Sequence, residues 1–148
     1  MDIRELYQEV ILDHNRRPRN FRVPERTTCK AEGYNPLCGD KITVYLQIEG
    51  DLIQDVGFQG TGCAISKASA SLMTDALKGK SLEQANALFT QFHDLVTAPA
   101  ASSVSADALG KLAVLGGVRE YPMRVKCASL AWHTMRAAMT NTHVVSTE

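Results

Sequence analysis

A chain of 148 residues, 45% hydrophobic and 22% charged, is long enough for one domain with its own core, burying about 70% of its unfolded surface. Sixteen Lys and Arg balance sixteen Asp and Glu, and the isoelectric point is near 6.9, so no long-range field points to nucleic acid or an anionic membrane as a partner. The start, Met1-Asp2-Ile3-Arg4-Glu5, is charged where an export signal would be apolar, and no run approaches the roughly 20 apolar residues of a membrane span; the expectation is a cytoplasmic protein.

In chain order, Ile3, Leu6, Tyr7, Val10 and Ile11 fall at helical spacing, with Asp2 as cap and Glu5 three residues on, which predicts an amphipathic helix ending near His14. From Asn15 to Leu37 the prolines at 18, 24 and 36 predict irregular chain, with a short edge strand over Thr27–Ala31. Ile42, Val44, Leu46 and Ile48 then alternate with polar neighbours, the period of a strand with one buried face. Gly50-Asp51 turns it, and Leu52–Gln59 returns as its partner.

Beyond Cys63, a helical face formed by Ile65, Ala68, Leu72, Met73 and Ala76 stops at Gly79. Ser81-Leu82-Glu83-Gln84 is a capping box for a helix carrying Leu88, Phe89 and Phe92. A loop is expected over Thr97–Ser105 and a short helix over Ala106–Leu115. Pro122 opens a last long helix with Val125, Ala128, Trp132, Met135 and Met139 on its apolar face, which puts Cys127 in the first turn. The polar tail over residues 140–148 is expected to fray.

Four cysteines in a reducing compartment point to metal binding or thiol reactivity rather than disulfides. Cys38 and Asp40 precede the first strand of the hairpin and Cys63 follows the second, so antiparallel pairing brings them together. With Cys127 they form a candidate four-ligand set. Three thiolates and a carboxylate suit tetrahedral zinc, and thiolates equally hold iron–sulfur clusters, so the donor set leaves the metal open. Against a zinc dication the set carries two formal negative charges in excess, which Arg124 and Lys126 stand ready to offset. Helix amino termini at Cys63 and Cys127 are expected to lower their pKa values. Each feature has a plainer reading: a lone cysteine is often a small core hydrophobe, the reading given to Cys29, and Asp40 suits a turn. The four histidines, Trp132 and the methionines carry no sign of a ligand role.

Four segments act in combination: Leu6-Tyr7 through Asp13-His14-Asn15-Arg16-Arg17-Pro18-Arg19-Asn20, Asn35-Pro36-Leu37-Cys38-Gly39-Asp40, Gly60-Thr61-Gly62-Cys63-Ala64-Ile65-Ser66, and Lys126-Cys127-Ala128-Ser129-Leu130-Ala131-Trp132. Together they resemble the iron–sulfur cluster assembly scaffold family with the IscU/NifU amino-terminal fold, over nearly the whole chain. The resemblance implies an α+β fold, a three-stranded antiparallel sheet with helices packed on one face, in a single domain over residues 1–148. It also implies Cys38, Asp40, Cys63 and Cys127 as metal ligands. IscU scaffolds carry histidine before the third cysteine and a Leu-Pro-Pro-Val-Lys segment gripped by a chaperone. Here Lys126 and Glu120-Tyr121-Pro122-Met123-Arg124 stand instead, which argues against that chaperone. The stretch over residues 97–117 looks like the insertion of SufU-type members, which are similar in activity to zinc-dependent sulfurtransferases. That resemblance implies zinc as the metal, with an iron–sulfur cluster as the alternative. The implied partners are a SufS-type cysteine desulfurase and a downstream cluster-assembly complex, with oligomeric state open. In this reading Cys38 is displaced from the metal by a desulfurase histidine and accepts persulfide sulfur, and Arg124 holds the released group or balances charge. The rival implied by the same family is a scaffold that builds and hands on a [2Fe–2S] cluster.

Overall fold

The computed structural model of the chain describes residues 3–36, 38–97, 121–140 and 144–146, together with Leu112, Leu115, Gly116 and Val118. In chain order the elements are α1 (Ile3–Arg16), β1 (Cys29–Asn35), β2 (Asp40–Glu49), β3 (Leu52–Thr61), α2 (Ala64–Leu77), α3 (Leu82–Thr97), α4 (Pro122–Met139) and β4 (Val144–Ser146).

The hairpin expected from period-two alternation is present, with Asp40, Ile42, Val44 and Leu46 of β2 facing the core. In β3 the buried hydrophobic side chains are Ile53, then Val56 and Phe58. The change of parity comes from a bulge: Gln47 pairs with Asp55 but Ile48 with Ile53, so one extra residue on β3 moves the buried positions to the other parity. The capping box at the start of α3 forms as read. Gln84 Oε1 accepts from the Ser81 N–H at 2.9 Å, and Ser81 Oγ accepts from the Gln84 N–H at 3.1 Å.

The three antiparallel strands β1, β2 and β3 make the sheet expected from the sequence, and a fourth strand adds to it. The order is β3-β2-β1-β4, with β4 parallel to β1 through Glu32↔Val144, Gly33↔Val145 and Tyr34↔Ser146. This corrects two expectations. The segment before Cys38 is not a short edge strand over Thr27–Ala31 but a seven-residue interior strand ending at Asn35. The tail expected to fray over 140–148 contains a paired strand at Val144–Ser146. In β1 the ladder's backbone hydrogen bonds override weak local preference, since Lys, Glu, Gly and Asn are poor strand formers, whereas Val144 and Val145 of β4 favour a strand and need only an edge to pair with. The loop and helix expected over 97–115, and with them nearly all of the expected insertion, lie outside the described residues apart from Thr97, Leu112, Leu115 and Gly116.

The helices cover one face of the sheet: α4 lies against β1 and β2, α2 against β3 and α4, α1 against α2, and α3 against α4. Such a position encloses α4, and Ala128, Leu130, Ala131, Trp132, Thr134, Met135 and Ala138 are all buried. Trp132 stacks on Phe92 of α3 with centroids 4.6 Å apart. Leu112, Leu115 and Val118 join the same core. Among the described residues no helix is long and apolar enough to cross a membrane.

Candidate metal centre

Asn35 closes β1 opposite Asp40, the first residue of β2, so Cys38 sits in the turn between the two strands. The turn is fastened by the Cys38 N–H donating to the Asn35 carbonyl at 3.2 Å. Gly39 supplies its left-handed residue at φ +70°. The parity of β2 points Asp40 inward, where it is 2% exposed. Its Oδ1 accepts from the Cys63 N–H at 2.8 Å, because β3 returns antiparallel and pairs Thr61 with Lys41. Gly62 makes that approach possible: a Cβ there would lie 2.5 Å from Asp40 Oδ1. Cys63 is the N-cap of α2, and its Sγ accepts from the Ser66 N–H at 3.4 Å.

Cys127 comes from the far end of the chain on α4. Its Sγ is 3.2 Å from Cys38 Sγ, and the donor atoms of Cys38, Asp40 and Cys127 all lie within 4.8 Å of one another. Cys63 stands at the edge of this group, its Sγ 3.9 Å from Asp40 Oδ2. All four residues expected at the site are thus gathered at one place, three of them tightly. Cys29 lies in β1, away from them.

The expected position and acidity of Cys127 need correction. With Tyr121 as N-cap and Pro122 first in the helix, Cys127 falls in the second turn of α4, where the free amides of a helix start are already used. Its thiol donates to the Met123 carbonyl at 3.7 Å. Burial pushes the Cys127 pKa well above its ordinary 9.0, and the neighbouring Cys38, Cys63 and Asp40 groups add to the rise. The expected lowering by a helix terminus is therefore reversed: acidic groups crowd together where water is excluded, the condition that a cation relieves.

Sequence reasoning also passed over Asn35. It is fully buried, and its Nδ2 donates to Asp40 Oδ2 at 3.2 Å and to Cys127 Sγ at 3.4 Å. The available signal was its strand register, because a strand reaching Asn35 sets it directly across from Asp40 on the inward face.

The donor set fits a borderline-soft dication. A buried carboxylate and clustered thiols have, among the described residues, no cationic side chain in an ion pair with Asp40, so the negative charge that deprotonation creates needs a metal to balance it. A cleft of about 530 Å³ opens over the cluster, lined by Gln8, Ile11 and Leu12 of α1, Ile65 of α2 and Arg124 of α4 together with Cys38, Cys63 and Cys127. Arg124 lies exposed at its rim, its guanidinium 5.0 Å from the Tyr121 ring centroid. The described histidines are elsewhere. His14 is bonded to Ser71 through Nδ1 at 2.7 Å, and His93 and His133 pack about Phe89.

Comparison with known proteins gives concordant matches. The family described as the NifU-like N-terminal domain matches residues 6–140. A relative named zinc-dependent sulfurtransferase SufU, from Bacillus subtilis, is 41% identical over 130 residues, covering 88% of this chain and 86% of its own. One named iron–sulfur cluster assembly scaffold protein IscU, from Streptococcus pyogenes, is 37% identical over 137 residues, covering 93% and 84%. A solved structure from Fervidobacterium islandicum, described as a cluster assembly scaffold for the SUF system, superposes with a TM-score of 0.82 at 33% identity, covering 91% of this chain and 97% of that one.

Proposed function

This chain belongs to the NifU-like N-terminal domain family, and from that membership we propose that it serves iron–sulfur cluster assembly as a zinc-dependent sulfurtransferase, receiving sulfur from a cysteine desulfurase of the SufS type in the cytoplasm. The site assigned is Cys38, Asp40, Cys63 and Cys127 as metal ligands, with Cys38 as sulfur acceptor and Arg124 beside it. The chain is read as a single domain over residues 1–148, in which 97–117 is the SufU-type insertion.

The observation that carries this reading is a split in exposure within one cluster. Cys38 is exposed on a turn, whereas Asp40 and Cys127 are each 2% exposed. One thiol can meet a partner while its neighbours stay anchored. Bound zinc would hold the thiols as thiolates and so lower the cost of gathering like charges. For transfer, the Cys38 thiolate attacks the outer sulfur of the desulfurase persulfide. A bond forms between Cys38 Sγ and that sulfur, the persulfide S–S bond breaks, and the desulfurase cysteine leaves as a thiolate, so no external oxidant or reductant is needed. Arg124, at the rim of the cleft, is placed to neutralise the charged persulfide that results.

The test is desulfurase turnover with and without the protein. Cys38→Ala should retain its fold and give no stimulation; stimulation equal to that of wild type would refute Cys38 as acceptor. A second reading, a scaffold for a [2Fe–2S] cluster, is favoured by the relative named IscU. Anaerobic reconstitution separates the two, because the sulfurtransferase should keep zinc and develop no stable visible chromophore.

A further inference from the structure

We propose that Asn35 is a positioning residue of the metal centre, a buried amide that holds the Asp40 carboxylate and the Cys127 sulfur in fixed relation while leaving Cys38 free to exchange. This inference rests on the metal-centre reading above and adds to it a residue that gives no ligand atom.

Three independent contacts converge on this side chain and its backbone. One Nδ2 group lies 3.2 Å from Asp40 Oδ2 and 3.4 Å from Cys127 Sγ, so both of its hydrogens are directed at atoms that are anionic when they bind a cation. The carbonyl of the same residue accepts from the Cys38 N–H at 3.2 Å. Turning the amide over would set its oxygen against a carboxylate and a thiolate, so electrostatics alone select the observed orientation.

The opposite end of the amide shows what the arrangement costs. Asn35 Oδ1 is buried with no hydrogen-bond partner among the described residues, a penalty that an apolar side chain filling the same space would not carry. Packing therefore does not account for an asparagine here; the two donors do.

The consequence is an asymmetry among the sulfurs. Hydrogen bonding to a thiolate draws electron density from it and lowers its repulsion with a neighbouring carboxylate, and partners of this kind around a metal are worth roughly 10- to 100-fold in affinity. Cys127 receives the amide. Cys38 Sγ accepts from the Cys127 thiol at 3.2 Å and has no amide donor among the described residues. Asn35 thus fixes Asp40 and Cys127 in place and leaves Cys38, exposed on its turn, as the sulfur free to move.

The test uses the full chain, stripped of metal and reloaded. Zinc affinity is measured by competition with a chromophoric chelator, and cobalt(II) is bound in place of zinc so that the sulfur-to-metal absorption in the near ultraviolet reports on the thiolates. Asn35→Ala should weaken zinc binding by about 10- to 100-fold and move that absorption to longer wavelength, since an unbonded thiolate gives up an electron more easily. Asn35→Asp, of the same shape, should weaken binding further, and Asn35→Ser, which keeps one donor, should fall between Ala and wild type. Zinc affinity in Asn35→Ala within twofold of wild type, or weakened affinity with an unshifted absorption, overturns the proposal. A wild-type protein that shows no sulfur-to-metal absorption overturns the metal centre itself, and the Asn35 assignment with it.

Discussion

Replacing Gly62 by alanine is the sharpest perturbation of the centre that leaves every ligand in place. The backbone of Gly62 is not in the left-handed region, so the added methyl acts by contact alone. It would stand 2.5 Å from Asp40 Oδ1, 3.1 Å from Cγ and 3.2 Å from Cβ. The whole carboxylate must retreat, because all three atoms are too close. Retreat breaks the 2.8 Å bond from the Cys63 N–H to Oδ1, an interaction of a charged acceptor worth about 1.5–3 kcal/mol, and overpacking adds about 1–3 kcal/mol. If half of that total falls on the bound state, zinc affinity drops by roughly 10- to 100-fold at 1.4 kcal/mol per decade. Competition with a chelator measures that loss, and thermal unfolding with and without zinc separates it from damage to the hairpin. The metal-free midpoint, which carries the other half, should fall by roughly 3–10 °C. Gly62→Ala with zinc affinity within twofold of wild type would refute the placement of Asp40 against residue 62.

Two further predictions concern the scaffold and the cluster's acidity. Phe92→Ala removes the buried ring stacked on Trp132 and should cost about 3–5 kcal/mol, lowering the unfolding midpoint by about 10 °C; a shift under 3 °C would count against that contact as a core element. Because the native Cys127 thiol has its pKa raised above 9.0, the unfolded chain loses this proton first as pH climbs. Stability of the metal-free protein should therefore be complete below pH 9.0 on this account and decline above it. Cys127→Ala should lessen the decline in a denaturant titration across that range, and an identical decline in both proteins would assign it to other groups.

Three of the four residues of the candidate site were legible because their signals are local. Cys38 and Asp40 flank a glycine turn, Cys63 stands at the mouth of a helix, and the alternation of Ile42, Val44 and Leu46 announces the hairpin that joins them. The capping box Ser81–Gln84 was equally plain, since its two hydrogen bonds span three residues. The change of parity in β3 was hidden, because a bulge is a property of the pair of strands and leaves no mark in either sequence alone.

What the amino-acid sequence determined by itself was the kind of chemistry and the elements that bear it, because periodicity, caps and turns act over a few residues. Tertiary structure alone decided that β1 runs to Asn35, since the strand pairs with β2 along its whole length to Asn35↔Asp40, and Glu32, Gly33 and Tyr34 pair also with β4 more than a hundred positions later in the chain. It alone set Cys127 one turn into an enclosed helix, where burial raises its pKa instead of lowering it. And it alone placed an unremarked asparagine between Asp40 and Cys127. Each of these depends on contacts between segments far apart in the chain, and burial and register have no value until those segments have met.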